Sequence, residues 1–218
     1  MVREESLVSR LSNPRDFYDA VAATYAEILP DTRAETPFDL GILDHFINEM
    51  PESAYPVLDA GCGSGRMIRY LASRGIENAS GVDLSENMID QARLNNPGTP
   101  LAVADIRALP FAPASVRSIL CWYAIIHSSV DEVRDIVAEF SRVLEPSGLA
   151  LFSFQSGSGE RLIERGYGHD VSIHGVLHRT ETIAALLTNA GFEIVATAER
   201  QPTAHERSCQ GFVLARKL

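Results

Sequence analysis

The segment Val57-Leu58-Asp59-Ala60-Gly61-Cys62-Gly63-Ser64-Gly65-Arg66 constrains this chain more than any other feature. A short apolar run enters a turn with three glycines and then a helical pattern, which reads as strand, tight corner and helix. Glycine permits positive φ and lets a ligand approach the backbone closely, so the corner reads as a ligand cradle at the edge of an α/β sheet. A dinucleotide fingerprint spaces its glycines G-x-G-x-x-G, whereas here Gly65 comes one residue early and Arg66 takes the next position. Asp59 argues the same way. A carboxylate beside a pyrophosphate repels it, while one near a cationic sulfonium or ammonium ligand is favourable.

From Pro56 onward short apolar runs alternate with helical patterns. The expected order is strand 57–60, helix 66–73, strand 79–83, helix 86–94, strand 101–105, strand 116–123, helix 131–144 and strand 149–154 after a turn at Pro146-Ser147-Gly148. That alternation predicts right-handed βαβ units and a mostly parallel sheet with helices on both faces. Two helices precede it, one over about 14–29 opened by Asn13-Pro14 and one over 38–46. Residues 155–178 have no clean period and read as a long functional loop or a set of short elements. A helix over 182–189 follows, then strands over 192–198 and 211–215. The short polar link between these last two strands makes them antiparallel neighbours, since a parallel crossover needs a dozen or more residues. At 218 residues the chain is expected to be one domain.

Strand ends carry the chemistry. Asp59, Asp83 in Gly81-Val82-Asp83-Leu84-Ser85, and Asp105 in Ala104-Asp105-Ile106 fall at the ends of successive strands, at the sheet edge where open α/β sheets bind ligands. One carboxylate in the position of Asp83 can accept both hydroxyls of a ribose.

Taken together, these pieces resemble the class I S-adenosylmethionine-dependent methyltransferases, in particular the small-molecule group of the methyltransferase 11 and 25 type. Phe17-Tyr18-Asp19 to Tyr25-Ala26-Glu27, the 59–65 turn, 81–88, 104–110 and Arg142-Val143-Leu144-Glu145-Pro146-Ser147-Gly148 carry the likeness over about residues 14–215. The resemblance implies a Rossmann-like seven-stranded sheet with an antiparallel last strand, in a single methyltransferase domain spanning 1–218. Within it, 1–50 would form an N-terminal helical lid and 155–178 a substrate loop. It also implies S-adenosylmethionine as cofactor. The Asp59, Ala60, Gly61, Cys62, Gly63 turn would hold the methionine portion, Asp83 the ribose, Leu84 and Met88 the adenine face, and Ala104, Asp105 and Ile106 the adenine edge. Tyr18 and Tyr25 would close over the cofactor. Ser64 stands where the family often has Thr. Trp122 and Tyr123 fit either the cofactor's flank or the sheet core, Tyr18 and Tyr25 also fit as core aromatics, and Arg66 reads as a solvated helix residue or a ligand contact.

The sulfonium is already a good leaving group, so alignment and exclusion of water matter more than acid–base chemistry. A hydroxyl acceptor still needs a base, and His127, just past the fourth strand, is the expected one. Packing or capping is its competing role. His169, His174 and His178 in the long loop lack a metal-ligand pattern, so no metal is expected.

The balance of 19 Lys and Arg against 29 Asp and Glu, a net charge of -10, disfavours a phosphate backbone as substrate. The Asn-Pro-Pro-Tyr signature of related enzymes that methylate exocyclic adenine amines is absent after the fourth strand. A small-molecule acceptor with an oxygen or nitrogen nucleophile is the expectation, with no nucleic acid or membrane partner and the oligomeric state left open. Cys62, Cys121 and Cys209 show no Cys-x-x-Cys spacing and read as free thiols, and the polar stretch 1–12 reads as neither signal nor anchor, so a cytoplasmic location is expected. A nicotinamide oxidoreductase, an aminopropyltransferase and a non-catalytic adenosyl-binding domain remain as alternatives.

Overall fold

The computed structural model describes residues 13–218, so the 1–12 stretch lies outside the described residues. α1 (Pro14–Ile28) starts where the Asn13 side chain accepts the Asp16 N–H at 3.0 Å, with proline in the first turn. α2 (Pro37–Glu49) opens on a reciprocal capping box between Thr36 and Asp39. Then come β1 (Val57–Ala60), α3 (Arg66–Ser73), β2 (Ala79–Asp83), α4 (Glu86–Asn95), β3 (Leu101–Val103), β4 (Val116–Trp122), α5 (Val130–Val143) and β5 (Leu144–Ser156). β6 (Glu160–Ile163) and β7 (Ile173–Val176) follow, then α6 (Thr180–Asn189), β8 (Phe192–Arg200) and β9 (Cys209–Lys217).

Seven strands form one sheet in the order β3-β2-β1-β4-β5-β9-β8. All neighbours pair in parallel except β9, which runs antiparallel to both β5 and β8. β1 leads through α3 to β2 on one side, and β4 lies on its other side. The winding reverses between β1 and β4, where ligands enter such sheets.

Alternation along the strands builds two cores. Leu58, Ala60, Ile119 and Cys121 point to the face covered by α5 and α6, with Phe140, Ile136, Ile183 and Leu187. Val57, Leu120 and Trp122 point to the other, with Leu43 and Phe46 of α2 and Ile68 and Leu71 of α3. A period of two over strands buried on both faces is what a central parallel sheet requires. α1 packs elsewhere. Its Phe17, Val21 and Ala22 form a separate cluster with Met88 of α4 and Ile173 of β7, covering the carboxyl edge of the sheet.

Boundaries differ from the sequence expectation where side chains compete with the ladder. β3 stops at Val103, not Asp105, because the Asp105 carboxylate turns back to accept the Arg107 N–H at 2.9 Å. Pairing of β5 begins at Leu144, and the Pro146-Ser147-Gly148 turn is absorbed as an irregularity in the ladder, with Ser147 at φ 63°. The 155–178 stretch is a set of short elements: the antiparallel β6–β7 hairpin with a helical turn at Gly166–Gly168.

Candidate functional site

The chain leaves β1 at Gly61, at φ +81°, and the N–H groups of Gly61 and Cys62 both donate to the Val82 carbonyl, at 2.8 and 2.9 Å. This ties the glycine turn to the end of β2. A Cβ at Gly61 would lie inside 3.0 Å of the Ala124 Cβ, so side chains are excluded on steric as well as backbone grounds. Gly63 N–H donates to Asp83 Oδ2 at 2.8 Å and Ser85 N–H to Asp83 Oδ1 at 2.9 Å. The carboxylate is thus fixed across the β1–β2 corner with acceptor capacity left on each oxygen. Burial pushes its pKa up against the pull of those backbone donors.

At this edge lies a cavity of about 970 Å³. Gly61, Gly63, Asp83, Leu84 and Met88 form one end of its wall, Ala104, Asp105 and Ile106 continue it, and Trp122, Tyr123 and His127 close the other side. Tyr18 and Tyr25 of α1 cover it, edge to face with ring centroids 6.3 Å apart. The Tyr25 ring stands 3.6 Å from where a Gly63 Cβ would be. The aromatic helix face expected over the turn is therefore there. Its Phe17 serves the packing against α4 and the hairpin instead.

Three residues expected at the turn are not on the cavity wall. Asp59 is 1% exposed and Ala60 is fully buried, both within β1, while Cys62 is 6% exposed and its thiol turns back toward the Gly63 carbonyl at 3.7 Å. The strand's own burial puts these side chains beneath the turn and leaves Gly61 and Gly63 to face the cavity. Asp59 Oδ2 has no hydrogen-bond partner among the described residues, and burial pushes the Asp59 carboxyl up to about 7 against the opposing charge of Arg66. Asp105 does reach the wall, but Arg107 holds it through Nη2 at 2.7 Å and keeps its pKa low.

A buried polar cluster completes the site. Arg66 Nη1 meets Glu35 Oε1 at 2.5 Å, with side-chain exposures of only 9% and 4%, and Trp122 Nε1 donates to the same oxygen at 3.1 Å. Burial works against the Arg66 charge, and Tyr25 and Glu35 beside it more than restore it. Arg66 is therefore a paired wall residue. Glu35 was invisible in the sequence because it sits in an aperiodic linker whose role is set by tertiary contact. Trp122 proves to be both core and wall. Tyr123 stands edge to face with it at 5.6 Å, in the left-handed region at φ 58°, its N–H tied to the Ser153 hydroxyl at 2.9 Å. A non-glycine residue held there costs strain that its neighbours must hold in place.

His127 Nδ1 lies 2.6 Å from the His174 carbonyl and Nε2 3.0 Å from the Tyr18 hydroxyl. A carbonyl only accepts, so Nδ1 carries the proton and Nε2 accepts from Tyr18. Burial lowers the His127 pKa and favours the neutral ring. The three loop histidines go to separate places: His169 to Thr24 at 2.8 Å, His174 toward Glu160 at 3.5 Å, and His178, buried, to the Ile125 carbonyl at 3.2 Å. Among the described residues no three His, Cys, Asp or Glu side chains are grouped to hold a metal ion.

Against known proteins, the methyltransferase domain model of the Methyltransf_25 family matches residues 57–148, the stretch from β1 through the start of β5. Malonyl-[acyl-carrier protein] O-methyltransferase of Enterobacter lignolyticus is 32% identical over 135 residues, covering 62% of this chain and 53% of that protein. The chain is similar to S-adenosylmethionine-dependent methyltransferases, in sequence over 57–148 and in fold. The 24-methylenesterol C-methyltransferase 2 of Oryza sativa is 27% identical over 153 residues, covering 64% of this chain and 41% of that one. A methyltransferase structure from Methanosarcina mazei described as SAM-dependent superposes with a TM-score of 0.68 at 21% identity, over 79% of this chain and 96% of that one, and shares the fold. The chain spans about half the length of the first of these curated relatives. S-Adenosylmethionine is the family's cofactor, and the side-chain-free cradle at Gly61 and Gly63 beside a fixed, partly satisfied Asp83 carboxylate fits it. No helix among the described residues is long and apolar enough to cross a membrane.

Proposed function

We propose that this methyltransferase transfers a methyl group to an oxygen or nitrogen nucleophile of a small molecule within the cavity beneath α1. The observation that carries the reading is the continuity of that cavity, which joins the glycine turn and Asp83 to His127 in one space. Gly61 and Gly63 would hold the methionine portion, Asp83 the ribose hydroxyls, Leu84 and Met88 an adenine face, and the 104–106 backbone its edge. Asp59, Ala60 and Cys62 would act from beneath by shaping the turn. When bound, S-adenosylmethionine supplies an electrophilic methyl group on a positively charged sulfur.

The chain's own part is alignment, exclusion of water and proton handling. Tyr18 and Tyr25 roof the space and shield it from solvent. His127 Nε2 is the unprotonated lone pair facing it, and the Tyr18 hydroxyl on that nitrogen can pass a proton from an acceptor hydroxyl to the ring. The His174 carbonyl then steadies the imidazolium through Nδ1. Three unpaired thiols, two of them buried, fit a cytoplasmic setting. Carrier-bound malonyl and sterol in the names of two relatives differ too much for either to be carried over to this chain.

The test is a thermal-shift panel. S-Adenosylmethionine and S-adenosylhomocysteine should raise the unfolding midpoint and NAD should not, because a ligand selective for the folded state stabilises it by mass action. No shift with either sulfur compound, or a shift with NAD, overturns the proposal.

A further inference from the structure

Arginines on the cavity wall divide into two kinds. Arg66 is paired with Glu35, Arg107 with Asp105 and Glu132, and Arg200 with Asp39 and Glu206. Arg15 of α1, Arg161 of β6 and Arg207 in the β8–β9 link have no ion pair among the described residues, and of these Arg15 acts on Asp105, away from the other two. Arg161 Nη2 donates to Gln155 Oε1 at 2.7 Å, but its Nε is buried and has no partner among the described residues. Beside Arg207 in the chain, the Ser208 hydroxyl is also buried and has no partner among the described residues, and Ser208 lines the same cavity. Glu164 lines the cavity too, yet pairs with neither arginine among the described residues.

A buried donor without a partner costs on the order of 1–3 kcal/mol, and more when it belongs to a charged group. Burial and the charge of Arg207 together disfavour the charged form of Arg161, so the two guanidiniums work against each other as they stand. An oxyanion held by the two guanidiniums would relieve that repulsion, and a turn of the Arg161 and Ser208 side chains toward it would give the buried Nε and hydroxyl a partner; guanidinium forks suit carboxylates and phosphates best. The charge of Arg161 also reaches His127, which puts this pair beside the acceptor end of the cavity and not at the glycine turn.

We infer that Arg161, Arg207 and Ser208 form a subsite for an oxyanion, a carboxylate or phosphate carried by the methyl acceptor. The inference rests on the reading of the cavity as a methyl-transfer site, and it narrows the acceptor to anionic molecules. Its test is calorimetric titration of protein loaded with S-adenosylhomocysteine, using butyrate, inorganic phosphate and neutral butyramide as probes. At least one of the two anions should bind ten times more tightly than butyramide, and whichever binds better names the source of the oxyanion. Arg161→Gln and Arg207→Gln should each weaken that binding tenfold or more, Arg161→Lys should retain part of it, and none should change the affinity for S-adenosylhomocysteine. Arg207 is exposed, so its substitution tests the subsite without burdening the fold.

Equal binding of all three probes, or anion binding unchanged in both Gln variants, overturns the subsite. A loss of S-adenosylhomocysteine affinity in Arg161→Gln also overturns it, by giving the arginine to the cofactor's own carboxylate. Titrating the unloaded protein separates the two readings. If the wild-type chain binds the anions through these residues but not S-adenosylhomocysteine, methyl transfer falls and the subsite stands.

Discussion

Substituting Gly61 by alanine isolates what the glycine turn demands, provided it is measured beside Gly75→Ala. Both glycines sit in the left-handed region, at φ +81° and +85°, so either alanine incurs the backbone penalty of roughly 1–2 kcal/mol. Gly75 has nothing within 4 Å of its would-be Cβ, whereas that of Gly61 would collide with the Ala124 Cβ. Ala124 has little room to give, because Tyr123 before it is pinned to Ser153 by both the backbone carbonyl and the hydroxyl, at 3.1 and 2.9 Å. Forcing a methyl group into such a contact typically costs about 1–3 kcal/mol more. Gly75→Ala should thus lose about 1–2 kcal/mol and Gly61→Ala about 2–5 kcal/mol. Urea unfolding followed by the fluorescence of Trp122, the single and buried tryptophan, reads both. If Gly61→Ala is no less stable than Gly75→Ala, the collision argument is wrong and the turn needs glycine only for its backbone.

Three further outcomes are expected. Glu35→Gln strips the buried Arg66 of its countercharge and should cost on the order of 3 kcal/mol in urea unfolding, with Trp122 emission altered as its acceptor changes; a loss below about 1 kcal/mol would mean that water, not Glu35, balances Arg66. Asp59 has a folded pKa of about 7 against an ordinary 3.8, so its favourable contribution is full below 3.8 and is lost as pH rises through 7. Relative to Asp59→Asn, the wild-type chain should lose stability between those limits, and parallel pH profiles would contradict the burial argument. Because burial depresses the His127 pKa from 6.5, its contribution is full above 6.5 and is lost as pH falls below it; the ring resonances followed by NMR should show a midpoint under 6.5, and one above would place His127 in a more anionic setting than described.

How far the sequence could be read tracks how local each determinant is. β1, α3 and β2 fall at 57–60, 66–73 and 79–83 as expected, since hydrophobic period, glycine breaks and the Ser85 cap are all local signals. The antiparallel β9 was legible from a connection too short for a crossover. β3 was overextended by Asp105, whose pairing with Arg107 outweighs the strand pattern, whereas the 155–178 stretch was read as a loop or a set of short elements and the β6–β7 hairpin within it was not singled out. Asp83, Leu84, Met88 and His127 reach the cavity wall because they sit at strand or helix ends whose positions the topology fixes. Asp59 was placed in the right corner but on the wrong side of the cavity wall, since a motif gives position along the chain and not which way a strand residue faces. Glu35 and Ser208 depend on contacts across the fold that no spacing rule encodes.

The most direct test of the central claim is calorimetric titration of S-adenosylhomocysteine into the wild-type protein and Asp83→Asn. The wild type should bind one equivalent, and the variant should lose about 1.5–3 kcal/mol, roughly 10- to 150-fold in affinity, because its amide would replace the carboxylate proposed to accept the ribose hydroxyls. Equal affinity in the two proteins, or no binding by the wild type, would contradict the account.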